Sequence, residues 1–178
     1  MSREPDSVLV EAAMNGDGDS FTQLCRRYYA AMVAIAHSIV GDRHLAEDVA
    51  QQAFAKAAVK LPQLATKGRF GGWLATICRN AARDMARRAG AAQSVQHLPA
   101  RAAESRENAA SEAVKEALGR LSASAREVVY LRFYDGMSYE HISAILGISE
   151  QAINGRLRRA KRKLAEHLRR EGFGEVRL

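Results

Sequence analysis

Apolar residues recur at intervals of three and four along almost the whole chain, and no stretch keeps the alternation of a half-buried strand. The pattern predicts an all-α protein. A first short helix is expected over residues 8–15, stopped by Gly16. A second follows Ser20, whose spacing to Gln23 suits a capping box, and it carries Phe21, Leu24, Tyr28, Met32, Ile35 and Ile39 to a left-handed cap at Gly41. Asp42 caps a third helix to about residue 60, with Leu45, Val49, Ala53, Ala57 and Leu61 one turn apart and Pro62 closing it. After a polar loop, residues 63–69, a fourth helix is predicted over 70–88, with Leu74, Ile77, Cys78, Ala81 and Met85 inward and Gly90 as its stop.

Residues 90–110 break the pattern. They hold little large apolar content, a central Pro99 and many small polar residues. A structureless span of this length is uncommon inside one compact domain, so it reads as a flexible linker rather than a surface loop. The chain therefore divides into an N-terminal helical domain (residues 1–89), a linker (90–110) and a C-terminal helical domain (111–178). In the latter, helices are expected over 112–120, from Ser122 to 134, over 139–146 behind Ser138, and over 150–170.

Residues 138–164 have the order of a helix-turn-helix. A short helix points Ile142, Ile145 and Leu146 inward, Gly147 makes the turn, and Ser149 caps a second helix whose inner stripe is Ile153, Leu157, Ala160 and Leu164. That stripe leaves Gln151, Asn154, Arg158 and Arg162 outward, flanked by Arg156, Arg159 and Lys161. Amides at the start of a recognition helix can read base edges, adenine above all, while arginines suit guanine or phosphate. A basic amphipathic hairpin in an ordinary bundle is the competing reading; the glycine turn, the capping serine, the amide pair and the basic continuation together favour DNA.

Charge sharpens this picture. The chain of 178 residues carries a net +7. Residues 156–170 contain eight basic side chains and one acid, Glu166, so this short stretch accounts for the whole excess. An otherwise neutral protein with one basic stretch points to an anionic partner, nucleic acid before membrane. The two cysteines, Cys25 and Cys78, are far apart and form no metal or disulfide pattern, which fits a reducing cytoplasm. Residues 1–6 are polar, unlike the start of a signal peptide, and the longest apolar run, 28–36, is shorter than the roughly 18 residues of a spanning helix. The sequence thus predicts a cytoplasmic protein with no membrane insertion. It shows no P-loop, GxSxG or HExxH motif and no paired metal ligands, so neither an enzyme nor a bound cofactor is expected.

Two further faces attract notice. Around the fourth helix, Lys67 and Arg69 precede Phe70 and Trp73, and Arg79, Asn80, Arg83 and Arg87 follow. Aromatics among basic and amide groups suit an unpaired strand, whose bases stack while its phosphates are neutralised. Taken alone, Phe70 and Trp73 read more simply as core. On the third helix, Glu47, Asp48, Gln51 and Gln52 form an acidic, amide-rich face that by itself reads as solvated surface.

Taken in order, these parts resemble the extracytoplasmic-function group of bacterial RNA polymerase sigma factors. The likeness covers residues 21–88 and 118–168. AEDVAQQAFAKA (46–57) is similar to the segment that docks on the clamp helices of the largest polymerase subunit. Phe70, Trp73, Leu74, Ile77, Arg79 and Asn80 follow the pattern of the promoter-melting segment. REVVYLRFYDGMSYEHISAILGIS with RLRRAKRKL is similar to the domain that reads the upstream promoter element. The resemblance implies a polymerase contact through Glu47, Asp48, Gln51 and Gln52. It implies duplex reading of the minus-thirty-five element by the C-terminal domain, through Ser149, Gln151, Asn154, Arg156, Arg158, Arg159 and Arg162. It also implies capture of the melted minus-ten strand by Lys67, Arg69, Trp73, Arg79, Asn80, Arg83 and Arg87, with a flipped base held between loop 65–69 and Asn80. Core RNA polymerase, promoter DNA and an anti-sigma factor are the implied partners. Ala58, Lys67, Asn154 and Gly155 depart from the usual residues of the group. A stand-alone helix-turn-helix regulator and a decoy that only binds an anti-sigma factor are the alternatives.

Overall fold

The computed structural model describes residues 4–93, 106–134 and 136–173, and every regular element among them is helical. Four helices build the N-terminal unit: α1 (Asp6–Met14), α2 (Gly18–Val40), α3 (Arg43–Lys60) and α4 (Phe70–Gln93). Four more build the C-terminal unit: α5 (Arg106–Gly119), α6 (Ala123–Val129), α7 (Tyr139–Leu146) and α8 (Glu150–Arg170), with a π-helical turn, Tyr130–Tyr134, continuing α6.

Most helix ends obey local chemistry. Asp42 accepts the amide of Leu45 at 2.9 Å, and Gly41 closes α2 at φ 74°. The start of α2 departs from the capping box expected at Ser20. Its cap is Asp17, whose carboxylate accepts the amide of Asp19 at 3.0 Å and the Ser20 hydroxyl at 2.5 Å. A carboxylate meets the positive helix end better than a hydroxyl, so the helix opens earlier and Ser20 is buried within it. Helix α4 likewise passes through Gly90 to Gln93. A helix-interior glycine costs only about 1 kcal/mol relative to alanine, so it does not by itself stop the helix. Helix α5 opens at Arg106, earlier than predicted, so helix enters both ends of the span read as linker, whose residues 94–105 lie outside the described part.

In the N-terminal core, Leu24, Met32 and Ile35 of α2 meet Val49 and Ala53 of α3 and Phe70, Leu74 and Cys78 of α4, all buried. Phe70 is fully enclosed, its ring 5.6 Å from that of Tyr28 and 5.9 Å from that of Trp73, so it is a core residue. The approach of α4 to α2 depends on Gly71. A Cβ there would fall 2.7 Å from the Tyr28 ring. That ring is held, since its hydroxyl donates to Asp6 and its face packs on Phe70. Gly71→Ala should therefore cost about 1–3 kcal/mol of stability, as overpacking does, read as a lower urea midpoint.

The two units share one contiguous core instead of standing apart. Helix α2 packs on α6 and the π turn, and the start of α4 packs on α7. Residues 31–36 of α2 are all buried, which requires neighbours on every side of that helix.

Candidate nucleic-acid interface

Helices α7 and α8 form the expected helix-turn-helix. Ser138 accepts the amide of His141 at 3.2 Å, Gly147 turns at φ 66°, and Ser149 accepts the amide of Ala152 at 3.2 Å. The turn is tied further by the Ser143 hydroxyl, which donates to the carbonyl of Ile148 at 2.7 Å. Ile142 and Ile145 of α7 and Ile153, Leu157, Ala160 and Leu164 of α8 are buried. Ser149, Gln151, Asn154, Arg158, Arg159 and Arg162 are consequently exposed, and Arg156 is half-buried. Arg156 and Arg159 join Lys163, Ser122 and Ser124 around a shallow cradle where α8 passes α6. Lys161 points elsewhere, over the ring of Phe133 with 5.1 Å to its centroid.

Gly155 sits inside this helix beside the basic face. A Cβ there would lie 3.4 Å from the mobile end of Arg159, which can move aside. Gly155→Ala should raise stability by about 1 kcal/mol through helix propensity, measured as a higher urea midpoint.

The second surface lies at the start of α4. A cleft of about 830 Å³ is lined by loop residues Leu64, Thr66 and Arg69, by Gly72, Trp73 and Arg79 of α4, by Ser143 to Leu146 of α7 and by Gly147 of the turn. It brings together three of the sequence-derived strand residues, Arg69, Trp73 and Arg79. Lys67 lies outside its lining, with Nζ 3.0 Å from a Glu11 carboxylate oxygen. Asn80, Arg83 and Arg87 are exposed further along α4, and Arg87 pairs with Asp84. The pocket expected between loop 65–69 and Asn80 is therefore bordered by Arg79 on that side. Arg79 is engaged: its Nε donates to Glu127 of α6 at 2.7 Å. Glu127 escaped sequence reasoning because its partner is 48 positions away.

On α3, burial of Ala46, Val49, Ala50, Ala53 and Phe54 turns Asp48, Gln51 and Gln52 to solvent. Glu47 is half-buried and accepts from Arg43 Nε at 3.0 Å. The other side of the Arg43 guanidinium donates to the Tyr134 hydroxyl at 2.8 Å, and His37 presses edge-on against Tyr130 and Tyr134. Burial lowers the affinity of His37 for a proton, which suits a neutral ring in this apolar contact.

Sequence reasoning also missed an apolar groove of about 430 Å³ between α5, the π turn and α8, where Val114, Phe133 and Tyr134 stand exposed. The adjacent aromatics Phe133 and Tyr134 before a turn were its one signal. Neither thiol is primed for redox chemistry. Burial pushes Cys78 up to about 12 and raises Cys25 as well. Among the described residues, no cluster of metal-ligating side chains occurs and no helix is long and apolar enough to cross a membrane.

A helix-turn-helix with a basic outer face and an aromatic and basic cleft at the start of α4 thus occur in one chain. Residues 24–92 match the Sigma-70 region 2 family and residues 111–164 the Sigma-70, region 4 family. RNA polymerase sigma factor CarQ of Myxococcus xanthus is 32% identical over 173 residues, covering 89% of this chain and 95% of that protein. The solved structure of CnrH, a sigma factor of Cupriavidus metallidurans, in complex with the cytosolic domain of CnrY matches with a TM-score of 0.64. It is 29% identical, over 93% of this chain and 98% of that one. The sigma factor RpoE of Bartonella quintana, in complex with the anti-sigma factor NepR, matches with a TM-score of 0.51 and 28% identity, over 84% of this chain and 96% of that one. The chain spans 64% and 41% of the length of two further curated relatives. The chain belongs to the extracytoplasmic-function group of bacterial RNA polymerase sigma factors.

Proposed function

We propose that this protein binds core RNA polymerase and directs promoter-specific initiation, reading two DNA forms with two units. The observation that supports the reading is the presence in one chain of a helix-turn-helix with a basic outer face on α8 and an aromatic, basic cleft at the start of α4. A stand-alone regulator needs only the first. In this reading Ser149, Gln151 and Asn154 enter the major groove of the upstream element at the start of α8. Arg158 and Arg162 continue the reading face, and Arg156 and Arg159 hold phosphates. The polymerase rests on α3 through Asp48, Gln51 and Gln52, with Glu47 at the margin.

As the minus-ten element melts, Trp73 offers a face for an unpaired base while Arg69 and Arg79 neutralise the strand. Asn80, Arg83 and Arg87 follow the strand along α4, and Lys67 holds the loop against α1 through Glu11. Unpairing a base costs a few kcal/mol, and strand capture offsets that cost. The protein acts by binding alone, so the reading asks for no catalytic group or cofactor. It works in the cytoplasm, where polymerase and chromosome meet. An anti-sigma factor is a further partner, supported by the likeness to RpoE in its complex with NepR. In this reading the N-terminal unit closes with α4 and the C-terminal unit opens with α5, so the limits expected at residues 89 and 111 move to the ends of those helices.

Transcription in vitro with core polymerase tests the proposal. Promoter-dependent initiation on fragments of the native genome is expected. No initiation on any fragment overturns it. Tight duplex binding without polymerase would then favour the stand-alone regulator, and binding of an anti-sigma factor without DNA the decoy.

A further inference from the structure

One wall of the strand cleft is loop 63–69, and every residue of that stretch except Lys67 contributes to its lining. The cause is a tight helical turn, Lys67–Arg69, in which the Arg69 amide donates to the Thr66 carbonyl at 2.9 Å. The turn brings Thr66 and Arg69 to the cleft and sends Lys67 to the opposite side, against α1. There its Nζ lies 3.0 Å from a Glu11 carboxylate oxygen. Helix α1 is a fixed support, since Leu9 and Val10 are buried and Asp6 accepts from both Arg27 and Tyr28 of α2.

We infer that Glu11 is a positioning residue for base selection: through Lys67 it sets the height of the loop above the cleft, and so which base of the melted strand is preferred. The inference rests on the reading of that cleft as the strand-binding site. Glu11 lies off the cleft lining, so it acts through the loop and not on DNA. Two kinds of contact divide here. Stacking on Trp73 and the charges of Arg69 and Arg79 accept any base and any phosphate. Telling one base edge from another needs donors and acceptors at about 2.7–3.2 Å, and a slightly displaced loop loses that match. Lys67 is 39% and Glu11 62% exposed, so the pair adds little to stability and variants that lack it still fold. A contact of that strength shifts a base preference about threefold to fivefold.

Transcription in vitro with core polymerase, on a promoter library randomised across the minus-ten and upstream elements, reads the base preference at each position. The full chain is compared with Glu11→Gln, Lys67→Gln and the double variant. Glu11→Gln is expected to lower the preference about threefold to fivefold at one minus-ten position. Selection at the upstream element, read by α8, should stay as it was, and so should the urea midpoint. Lys67→Gln should give the same ratio between bases. The double variant should lose no more than either single one, since the same contact is removed in all three.

An unchanged ratio in Glu11→Gln overturns the inference. A loss spread equally over minus-ten and upstream positions also overturns it, because that marks general damage. Single effects that add in the double variant do the same, because the two residues then act independently. Lower output from every sequence with unchanged ratios in Lys67→Gln would put that ammonium on phosphate instead. If the unaltered chain selects at the upstream element but at no minus-ten position, the strand reading of the cleft fails, and the role of Glu11 falls with it.

Discussion

Asp48→Arg should weaken binding to core RNA polymerase roughly a hundredfold, while binding of the free protein to upstream duplex DNA stays unchanged. Asp48 is exposed on α3, and the buried side of that helix lies opposite, so the substitution leaves the core intact. Its effect would come from the interface. Reversing a charge in a complementary contact sets like against like, at several kcal/mol, and about 2.7 kcal/mol is a hundredfold. Titration of labelled protein with core polymerase measures it. Normal affinity would remove α3 as the polymerase contact. Glu47→Arg should act less, because that carboxylate already accepts from Arg43 at 3.0 Å.

Replacing Arg156 and Arg159 together by alanine should reduce upstream-duplex affinity about thirtyfold near 0.15 M salt. The slope of log affinity against log salt should also flatten by about 1.8, at roughly 0.9 per phosphate contact. The two arginines stand at the cradle between α8 and the start of α6, beside Lys163 and two serines. That position suits the DNA backbone more than base edges. The loss should therefore be nearly uniform across sequences. An unchanged salt slope would exclude both from phosphates. Gln151→Ala or Asn154→Ala should instead relax base preference and leave the slope alone.

The helix-turn-helix was legible residue by residue. Ser138, Gly147 and Ser149 each act on atoms within four positions, so their hydrogen bonds follow from spacing alone. The apolar stripe of α8 then exposes Gln151, Asn154 and Arg158 without reference to any other helix. The cap of α2 was misread because two nearby groups competed for the same helix end and the carboxylate of Asp17 prevailed over Ser20.

The strand cleft was only partly legible. Spacing located Trp73 and Arg79 on one helix, yet the wall formed by Ser143 to Gly147 comes from the other end of the chain. The seating of Lys67 against Glu11 likewise needs α1 folded over the loop. One signal of closure was present from the start. A run such as residues 30–36, apolar on every side, cannot be satisfied by one neighbouring face.

The order of the helices, the helix-turn-helix, the basic face of α8 and the acidic face of α3 were determined by the sequence alone, because each depends on groups a few residues apart on one helix; the ends of α2, α4 and α5 were not. Tertiary structure decided that the two units share a core, that α7 covers the start of α4, and that Arg79 meets Glu127. Those contacts join residues tens of positions apart, and helical periodicity states that a face is buried without naming what buries it.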